Sequence, residues 1–409
     1  MAEYKWLIEM LFGGLGTAII GYIFFKKYKH HRLIQKQKSG TNSTNIQAGR
    51  DIKINNKGNI VNKNNQEQRS GNSSTNVQAG GNVTIMGVTY NEARQIADDL
   101  FKANFLTLQG EARNIAQQRA EELINEFLTA LQTEKTVNID VVKDPDMQHA
   151  LFTAQRDYAR SGSTDLSKLL VDILVERAKL GNDELKKIVL NEAIQVAPKL
   201  TKKQLNAISI RFLIASSRNP QVNNLEKFNN YLLSQILPFC AELAKENSDY
   251  QHIEYVGCGT VSIMQSDIYN FLKGNYSGIL SNGFDEEIIK QQQLSPEQHN
   301  KLVTRCLRNP AKFEISAIND EAIDLAGKDC GLTENQIKQL KDLQNANLLS
   351  KEEVEQMLEN MNPQFKELLH TWNNSGLGRL QLTTVGIALA HANIKKTIDI
   401  DLDLGVWIK

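Results

Sequence analysis

The sequence lacks the local residue patterns on which most enzyme and metal-site predictions depend. Its seven histidines form no HExxH pair, and no GxSxG or protein-kinase signature is present. The glycine-rich stretch at 13–16 is not followed by Lys-Ser or Lys-Thr, so it is not a phosphate loop. We therefore predict no catalytic residue, no cofactor and no metal site. An enzyme whose active site is assembled from distant residues stays an alternative, because local motifs do not detect one.

The chain also lacks an excess of charge of either sign and a cysteine framework. Lys and Arg total 47, as do Asp and Glu, so the net charge gives no reason to expect a nucleic-acid partner. The four cysteines are widely spaced and form no CxxC pair. Because a chain of 409 residues does not need disulfides to fold, we interpret them as reduced thiols, and Cys258 as a buried structural residue.

One long apolar run stands near the N-terminus. Residues 6–25, WLIEMLFGGLGTAIIGYIFF, contain a single charge and are long enough to cross a bilayer as a helix. Lys5 is the only basic residue before the run, whereas six basic residues follow it up to Lys38. This asymmetry predicts that the N-terminus lies outside and that the body lies in the cytoplasm, at the bacterial inner membrane. The residues assigned to this topology, and to contact with anionic lipid, are Lys26, Lys27, Lys29 and Arg32.

Small residues recur at every fourth position within this run. Gly13, Thr17 and Gly21 would share one helix face, where a second helix can approach closely. Two interpretations stay open: self-association through this face, or the ordinary abundance of glycine in membrane helices.

An Asn-rich tract between residues 39 and 87 contains an internal repeat. The segment STNIQAGRDIKI at 43–54 returns as STNVQAGGNVTI at 74–85, offset by 31 residues. Apolar residues alternate around a glycine in each copy, which predicts two very short strands per copy. Two copies are too few to build a continuous core, so we expect other copies of the chain to complete a homo-oligomeric β-stalk. The residues expected to mediate this assembly are Ile46, Ile52, Ile54, Val77, Val83 and Ile85.

An unstructured spacer is the alternative for this tract, since its composition is that of a flexible linker. The in-register repeat favours the stalk.

The rest of the chain is predicted to be mainly helical. Residues 90–131 indicate two amphipathic helices that break near Gln109-Gly110 and form a hairpin. The stretch 252–264 fits either a buried strand or a tight helix contact. Capping boxes, which mark helix starts, are present at Thr201/Gln204, Ser295/Gln298, Thr333/Gln336 and Ser350/Glu353.

The last residues, 376–409, are predicted to form a small α+β unit. A short strand and an apolar helix precede residues 397–404, TIDIDLDL, whose strict alternation predicts a strand with one exposed face. Asp399, Asp401 and Asp403 would line that face about 7 Å apart, too far apart for one metal ion. We interpret them as an acidic edge that discourages aggregation.

The predicted fold class is therefore mainly α, with one N-terminal transmembrane helix, a short Asn/Gly-rich β-repeat stalk, a multi-helix cytoplasmic body and a small α+β C-terminal unit. The predicted boundaries are 1–38 for the anchor and its basic juxtamembrane segment, 39–88 for the stalk, 89–135 for the helical hairpin, 136–375 for the α-helical domain and 376–409 for the C-terminal unit.

Several motifs resemble those of known sequences. QAGRDI at 47–52, TYNEAR at 89–94, FKANF at 101–105 and GEARNIA at 110–116 are similar to motifs of an uncharacterised family of bacterial membrane-anchored proteins with GRDI-type repeats and a helical body. The similarity continues weakly to LTTVGIALA at 382–390. The resemblance implies a setting, near anti-phage defence genes, and no particular chemistry.

We therefore expect a membrane-anchored homo-oligomeric sensor or effector, acting in bacterial anti-phage defence through membrane disturbance or partner recruitment. Its expected partners are further copies of the chain, the lipid bilayer and a phage-derived or host protein that acts as the trigger, with no nucleic acid. The alternatives are a passive membrane scaffold or envelope-stress protein, and an enzyme with a non-local active site.

Overall fold

A computed structural model describes the backbone of six strands between residues 35 and 85, and residues 89–104, 110–134, 139–181 and 183–409. The predicted membrane run at 6–25, with its small residues and its basic flank, lies outside the described residues. Within the described part of the chain, no helix is both long and apolar enough to cross a bilayer. Contacts divide the chain into two compact units, Met1–Gly87 and Val88–Lys409.

The first unit contains short parallel strand pairs. The six strands are β1 (Gln35–Lys38), β2 (Thr44–Ala48), β3 (Ile52–Ile54), β4 (Gln66–Arg69), β5 (Thr75–Ala79) and β6 (Val83–Ile85). β1 pairs with β4, β2 with β5 and β3 with β6, in each case parallel. Each copy of the repeat therefore contributes one strand to every pair.

The second unit, which we call the body, is mainly helical, as predicted. Its α-helices are α1 (Tyr90–Asn104), α2 (Gly110–Thr133), α3 (Pro145–Ser161), α4 (Thr164–Lys179), α5 (Glu184–Val196), α6 (Lys202–Arg211), α7 (Leu225–Tyr231), α8 (Asn247–Tyr255), α9 (Ile268–Tyr276), α10 (Glu286–Lys290), α11 (Pro296–Leu302), α12 (Asp320–Asp329), α13 (Glu334–Ala346), α14 (Lys351–Met361), α15 (Pro363–Asn374) and α16 (Thr384–Ile398).

Short elements connect these helices. The 3-10 turns are Ile139–Lys143, Ala197–Lys199, Leu237–Phe239, Leu377–Arg379 and Leu404–Val406, and the π-turns are Phe212–Ser216 and Leu232–Ile236. Two antiparallel strand pairs complete the body: β7 (Gly259–Val261) with β10 (Leu380–Leu382), and β8 (Val303–Arg305) with β9 (Phe313–Ile315).

All four predicted capping boxes are confirmed. In each, the side chain of the N-cap residue accepts a hydrogen bond from the N3 backbone, and the N3 side chain bonds back to the N-cap backbone. These reciprocal bonds satisfy backbone groups that a helix start otherwise leaves without partners. They fix the starts of α6, α11, α13 and α14.

Helix α16 lies at the centre of the larger hydrophobic core and packs against α4, α5 and α6. Its buried residues include Leu389 and Ile394, both fully enclosed. The buried amide of Asn393 donates hydrogen bonds of 2.9 Å to the Ser209 hydroxyl and of 3.4 Å to the Asn206 side-chain oxygen, both on α6. A small second core is formed by residues between 284 and 340. It contains side chains of the four helices α10, α11, α12 and α13 and of the β8–β9 pair.

The stretch 252–264, which the sequence left open, is part helix and part strand. α8 ends at Tyr255, the backbone turns at Gly257 with a φ of +80°, and β7 follows. Only glycine adopts such a φ without strain. The Cys258 carbonyl next to this turn accepts a hydrogen bond of 3.1 Å from the Thr383 amide, which fixes the start of α16.

The predicted strand over 397–404 is wrong. α16 continues to Ile398, and Asp399 ends it in the left-handed conformation, with a φ of 55°. Residues 400–403 follow without regular structure. The even-numbered side chains are still the more buried ones, because one face of the segment packs on helices. The alternation in the sequence reflects this one-sided burial and does not indicate a β-sheet.

The approach of α16 to the Cys258 carbonyl generates a stability prediction. A Cβ atom added at Gly386 would overlap the Cys258 carbonyl oxygen, a backbone atom that cannot move alone. We expect Gly386→Ala to lower the free energy of unfolding by roughly 1 to 3 kcal/mol, as overpacking does. Thermal unfolding followed by circular dichroism measures the change.

Gly274→Ala is the matched control for that substitution. Gly274 is an exposed residue of α9, and a Cβ there meets nothing within 4 Å. Alanine in that helix should raise stability by roughly 0.5 to 1 kcal/mol. Equal melting temperatures for the two variants would show that the contact between α16 and Cys258 is not tight.

Candidate functional site

The six residues predicted to mediate assembly lie in the parallel strand pairs. We call the six strands the repeat coil, with β1–β3 as its first rung and β4–β6 as its second rung. In both pairs that hold these residues, each residue faces the residue 31 positions later in the chain. The predicted residues are therefore partners of one another across the rungs, as Ile46–Val77, Ile52–Val83 and Ile54–Ile85.

The repeat is longer than the sequence analysis found. β1 pairs with β4 in the same register, with Gln35 opposite Gln66 and Gln37 opposite Gln68. These strands lie upstream of the predicted repeat, and β1 falls within the range assigned to the juxtamembrane segment. The signal was present in the sequence, since QKQKSG at 35–40 returns as QEQRSG at 66–71. The first copy was not recognised because its lysines, Lys36 and Lys38, were counted among the basic residues that follow the apolar run.

Each rung has one edge that is not paired. Within the described residues, every strand of the repeat coil belongs to a two-stranded sheet. One row of backbone N–H and C=O groups on each strand therefore has no strand partner among the described residues. Such edges are templates for pairing with another chain unless charge or cover blocks them.

A second group of functional candidates lies in the body, at the end of α16. Lys395 lies 3.5 Å from the Glu176 carboxylate on α4 and 3.2 Å from that of Asp401. Lys179 lies 2.7 Å from Glu176 and 3.0 Å from Glu134. We call this group, together with Asp172 and His391, the C-terminal charge cluster. It connects α4 and α16 to the segment that follows α16.

His391 fixes that segment from the buried side. The imidazole is buried, and its Nε2 lies 2.6 Å from the Leu402 carbonyl oxygen and 3.6 Å from the Asp401 carboxylate. Burial lowers the pKa of His391, so the ring is neutral at pH 7. A neutral ring can hold the backbone of Leu402 by one hydrogen bond without the cost of a buried charge.

Asp172 is the most perturbed carboxyl of the cluster. Burial raises its pKa from 3.8 to about 6, the positive charge of Lys395 opposes this shift, and the negative charges of Glu176 and Asp401 add to it. A carboxyl with a pKa near 6 is a feature of some functional sites and also of structural ion-pair networks. The many ion pairs around Asp172 favour the structural role.

The three aspartates predicted to form one acidic face have separate roles instead. Asp399 ends α16, Asp401 pairs with Lys395, and the Asp403 carboxylate accepts a hydrogen bond of 2.8 Å from the Gly405 amide. Asp401 attaches the segment to the body, whereas Asp399 and Asp403 fix the local backbone, and none of the three lies at a sheet edge.

Among the described residues, the thiols of Cys240 and Cys258 are not activated nucleophiles. Burial raises the pKa values of the Cys240 and Cys258 thiols to about 12, so both stay protonated. Among the described residues, no group of three or more His, Cys, Asp or Glu side chains is placed to hold a metal ion. The described residues do present surfaces, such as the strand edges of the repeat coil, on which another chain can associate.

The raised pKa of Asp172 predicts a pH dependence of stability. The folded chain binds this proton more tightly than the unfolded chain, so the contribution of Asp172 to stability falls as pH rises from 3.8 to about 6. Asp172→Asn should therefore stabilise the chain at pH 8, by roughly 1 to 2 kcal/mol after allowance for partial exposure. At pH 3.5 the variant and the parent should unfold at the same temperature.

The exposed Asp342 on α13 provides the control for this measurement. Asp342→Asn should shift the unfolding temperature by similar, small amounts at the two pH values, because water already solvates that carboxylate. A stabilisation by Asp172→Asn that is the same at both pH values would contradict the assignment.

Comparison with known proteins gives a family but no activity. A protein-family model whose description assigns no activity matches residues 87–408. No curated protein matches the chain significantly, and no solved structure does. The matched range starts at the boundary of the compact body. Because the match covers most of the sequence, the chain belongs to this family.

Proposed function

We propose that the chain is a membrane-anchored, homo-oligomeric sensor or effector of bacterial anti-phage defence, acting through membrane disturbance or partner recruitment. The observation that carries the proposal is the parallel, in-register pairing of the two rungs of the repeat coil. The membrane and defence parts rest on the sequence, namely the apolar run at 6–25, its basic flank and the GRDI-type motifs.

Self-assembly follows from the energetics of a two-rung coil. Ordering one backbone residue costs roughly 1 to 2 kcal/mol, whereas burying one aliphatic side chain contributes roughly 1.5 to 3 kcal/mol. Apolar side chains are a minority of the strand residues, with three in each rung besides alanine. Two rungs therefore gain too little to stay ordered alone, and further rungs must come from other copies.

Partner recruitment is supported by an exposed apolar tip on the body. Ile263 is 98% exposed and Met264 is 80% exposed. The loop that carries them is held on both sides, because the amides of Ser262 and Ser266 bond the carbonyls of Arg379 and Gly378 at 2.9 and 3.1 Å. A fixed loop that presents apolar side chains to solvent is typical of a surface that binds a partner.

A passive membrane scaffold or envelope-stress protein is the second candidate. It would use the same anchor and the same repeat coil, but it would accept any apolar helix in place of residues 6–25. An effector that disturbs the membrane depends instead on the face formed by Gly13, Thr17 and Gly21.

Assembly through the repeat coil can be tested by substitution. Replacing Ile52, Ile54, Val83 and Ile85 by Asp places charges at two facing pairs of the third strand pair. We expect the detergent-extracted full chain to fall from an oligomer to a monomer in multi-angle light scattering. The helical signal of the body should not change, since the body forms a separate compact unit.

The control adds the same four charges elsewhere in the tract. It replaces by Asp four asparagines that lie between β3 and β4 in the sequence, and it should leave the oligomer mass unchanged: Asn56, Asn62, Asn64 and Asn65. If the strand variant keeps the mass of the parent, the repeat coil does not hold the oligomer.

The predicted topology is tested separately. We expect alkaline phosphatase fused after Lys409 to be inactive in cells, because a cytoplasmic enzyme does not form its disulfides. A fusion before the membrane run serves as the active control. Activity of the fusion after Lys409 would place the body outside the cytoplasm and exclude the proposed orientation.

A further inference from the structure

The two rungs of the repeat coil are nearly interchangeable in sequence. Facing residues are identical at Thr44–Thr75, Asn45–Asn76, Gln47–Gln78 and Ala48–Ala79, and Ile46 faces the similar Val77. Within one chain, the second rung pairs with one edge of the first rung. The free edge of the second rung has a similar sequence, so a rung from another chain could pair there in the same way.

The direction of pairing restricts how a second chain can be added. All three strand pairs are parallel, and the register offset is the same in each. Continuing this pattern requires the second rung of one chain to face the first rung of the next. A symmetric dimer that joined two identical edges through a two-fold axis perpendicular to the sheet would instead make the strands antiparallel.

The rungs also differ in net charge. The strands of the first rung carry Lys36, Lys38 and Lys53 and no acidic residue, whereas those of the second rung carry Glu67 and Arg69. Two first rungs would therefore repel each other, whereas a second rung adds no net charge to the interface. One pair of like charges, Lys38 opposite Arg69, is present in the register of unlike rungs.

We infer that the chain assembles head to tail, with the second rung of one copy pairing in parallel register with the first rung of the next copy. The partner is thus a second copy of this chain, and the interface is the free edge of the repeat coil. This inference rests on the proposed self-assembly and specifies its geometry. A head-to-tail interface leaves a free edge at each end of the assembly, so copies can be added until the geometry closes a ring or other parts of the chain interfere.

Disulfide cross-linking between two differently tagged full-length chains tests this geometry. One chain carries Thr44→Cys and the other Thr75→Cys, both with Cys330→Ser, because Cys330 is the native cysteine that is not fully buried. Adjacent strands lie about 4.8 Å apart, which is within the range that a disulfide can bridge. After oxidation of membranes from cells that express both chains, we expect a band of twice the chain mass that carries both tags.

Three controls define the outcome. Either variant alone should give no cross-linked dimer, and neither should Thr44→Cys combined with Val83→Cys, because residues 44 and 83 lie in different strand pairs. Thr44→Cys and Thr75→Cys placed together in one chain should form an internal disulfide, which reports that the repeat coil is folded.

The possible failures are distinguishable. Cross-linking of Thr75→Cys with itself would show that like edges pair, and it would overturn the head-to-tail geometry while leaving self-assembly intact. An oligomer without a mixed cross-link would also overturn the geometry and place the interface elsewhere. A monomeric parent chain in detergent would refute the proposed assembly itself. Loss of the internal disulfide would show that the rungs do not pair as described and would remove the basis of the inference.

Discussion

The parallel pairing of residues 31 positions apart is the constraint on which the proposed assembly depends. A parallel pair needs a connection that returns the chain to the start of the next strand, and here the repeat itself provides that connection. The result is a coil of two similar rungs, and each rung has one edge without a strand partner among the described residues. Because short parallel strands are weak in isolation, the coil gains most from stacking on more rungs of the same kind. The proposed assembly rests on this feature, because further rungs of the same kind would continue the pairing.

The body is organised around a different constraint, the burial of α16. This helix packs against α4, α5 and α6, and the segment after it is attached by several independent contacts. Trp407 donates a hydrogen bond of 2.7 Å to the Ser216 carbonyl and packs edge-on against Phe212 at 4.8 Å. Ile408 is buried. Residues 384–408 therefore belong to the same core as the helices that precede them by almost two hundred positions.

Much of the local structure could be predicted because its causes are local. A capping box depends on two residues three positions apart, so all four were identified from the sequence. The repeat was found because its two copies are similar. The pairing partner of each copy was not predicted, because the repeat shows which residues recur but not that the two copies pair with each other in one chain. The polar strands β1 and β4 were missed because β1 was assigned to the basic juxtamembrane segment.

Features that depend on distant residues could not be predicted. The C-terminal charge cluster joins Glu134, Glu176 and Lys179 to Lys395 and Asp401, which lie more than two hundred positions later in the chain. Residues 397–404 were predicted to be a strand because their alternation is the same whether one face packs on a sheet or on helices. The left-handed conformation at Asp399 ends α16 and excludes a strand through this position. The alternation of apolar and acidic residues does not indicate that conformation.

Electron cryo-microscopy of the full chain, extracted from membranes as an assembly, tests the proposed head-to-tail stacking most directly. Rungs of a parallel coil are spaced about 4.8 Å apart, so head-to-tail stacking of two rungs per chain predicts a rise of about 9.6 Å from one copy to the next. Continuous parallel rungs across the boundary between copies are the expected result. Density that shows repeat coils of two rungs, each ending without contact to another copy, would contradict the account.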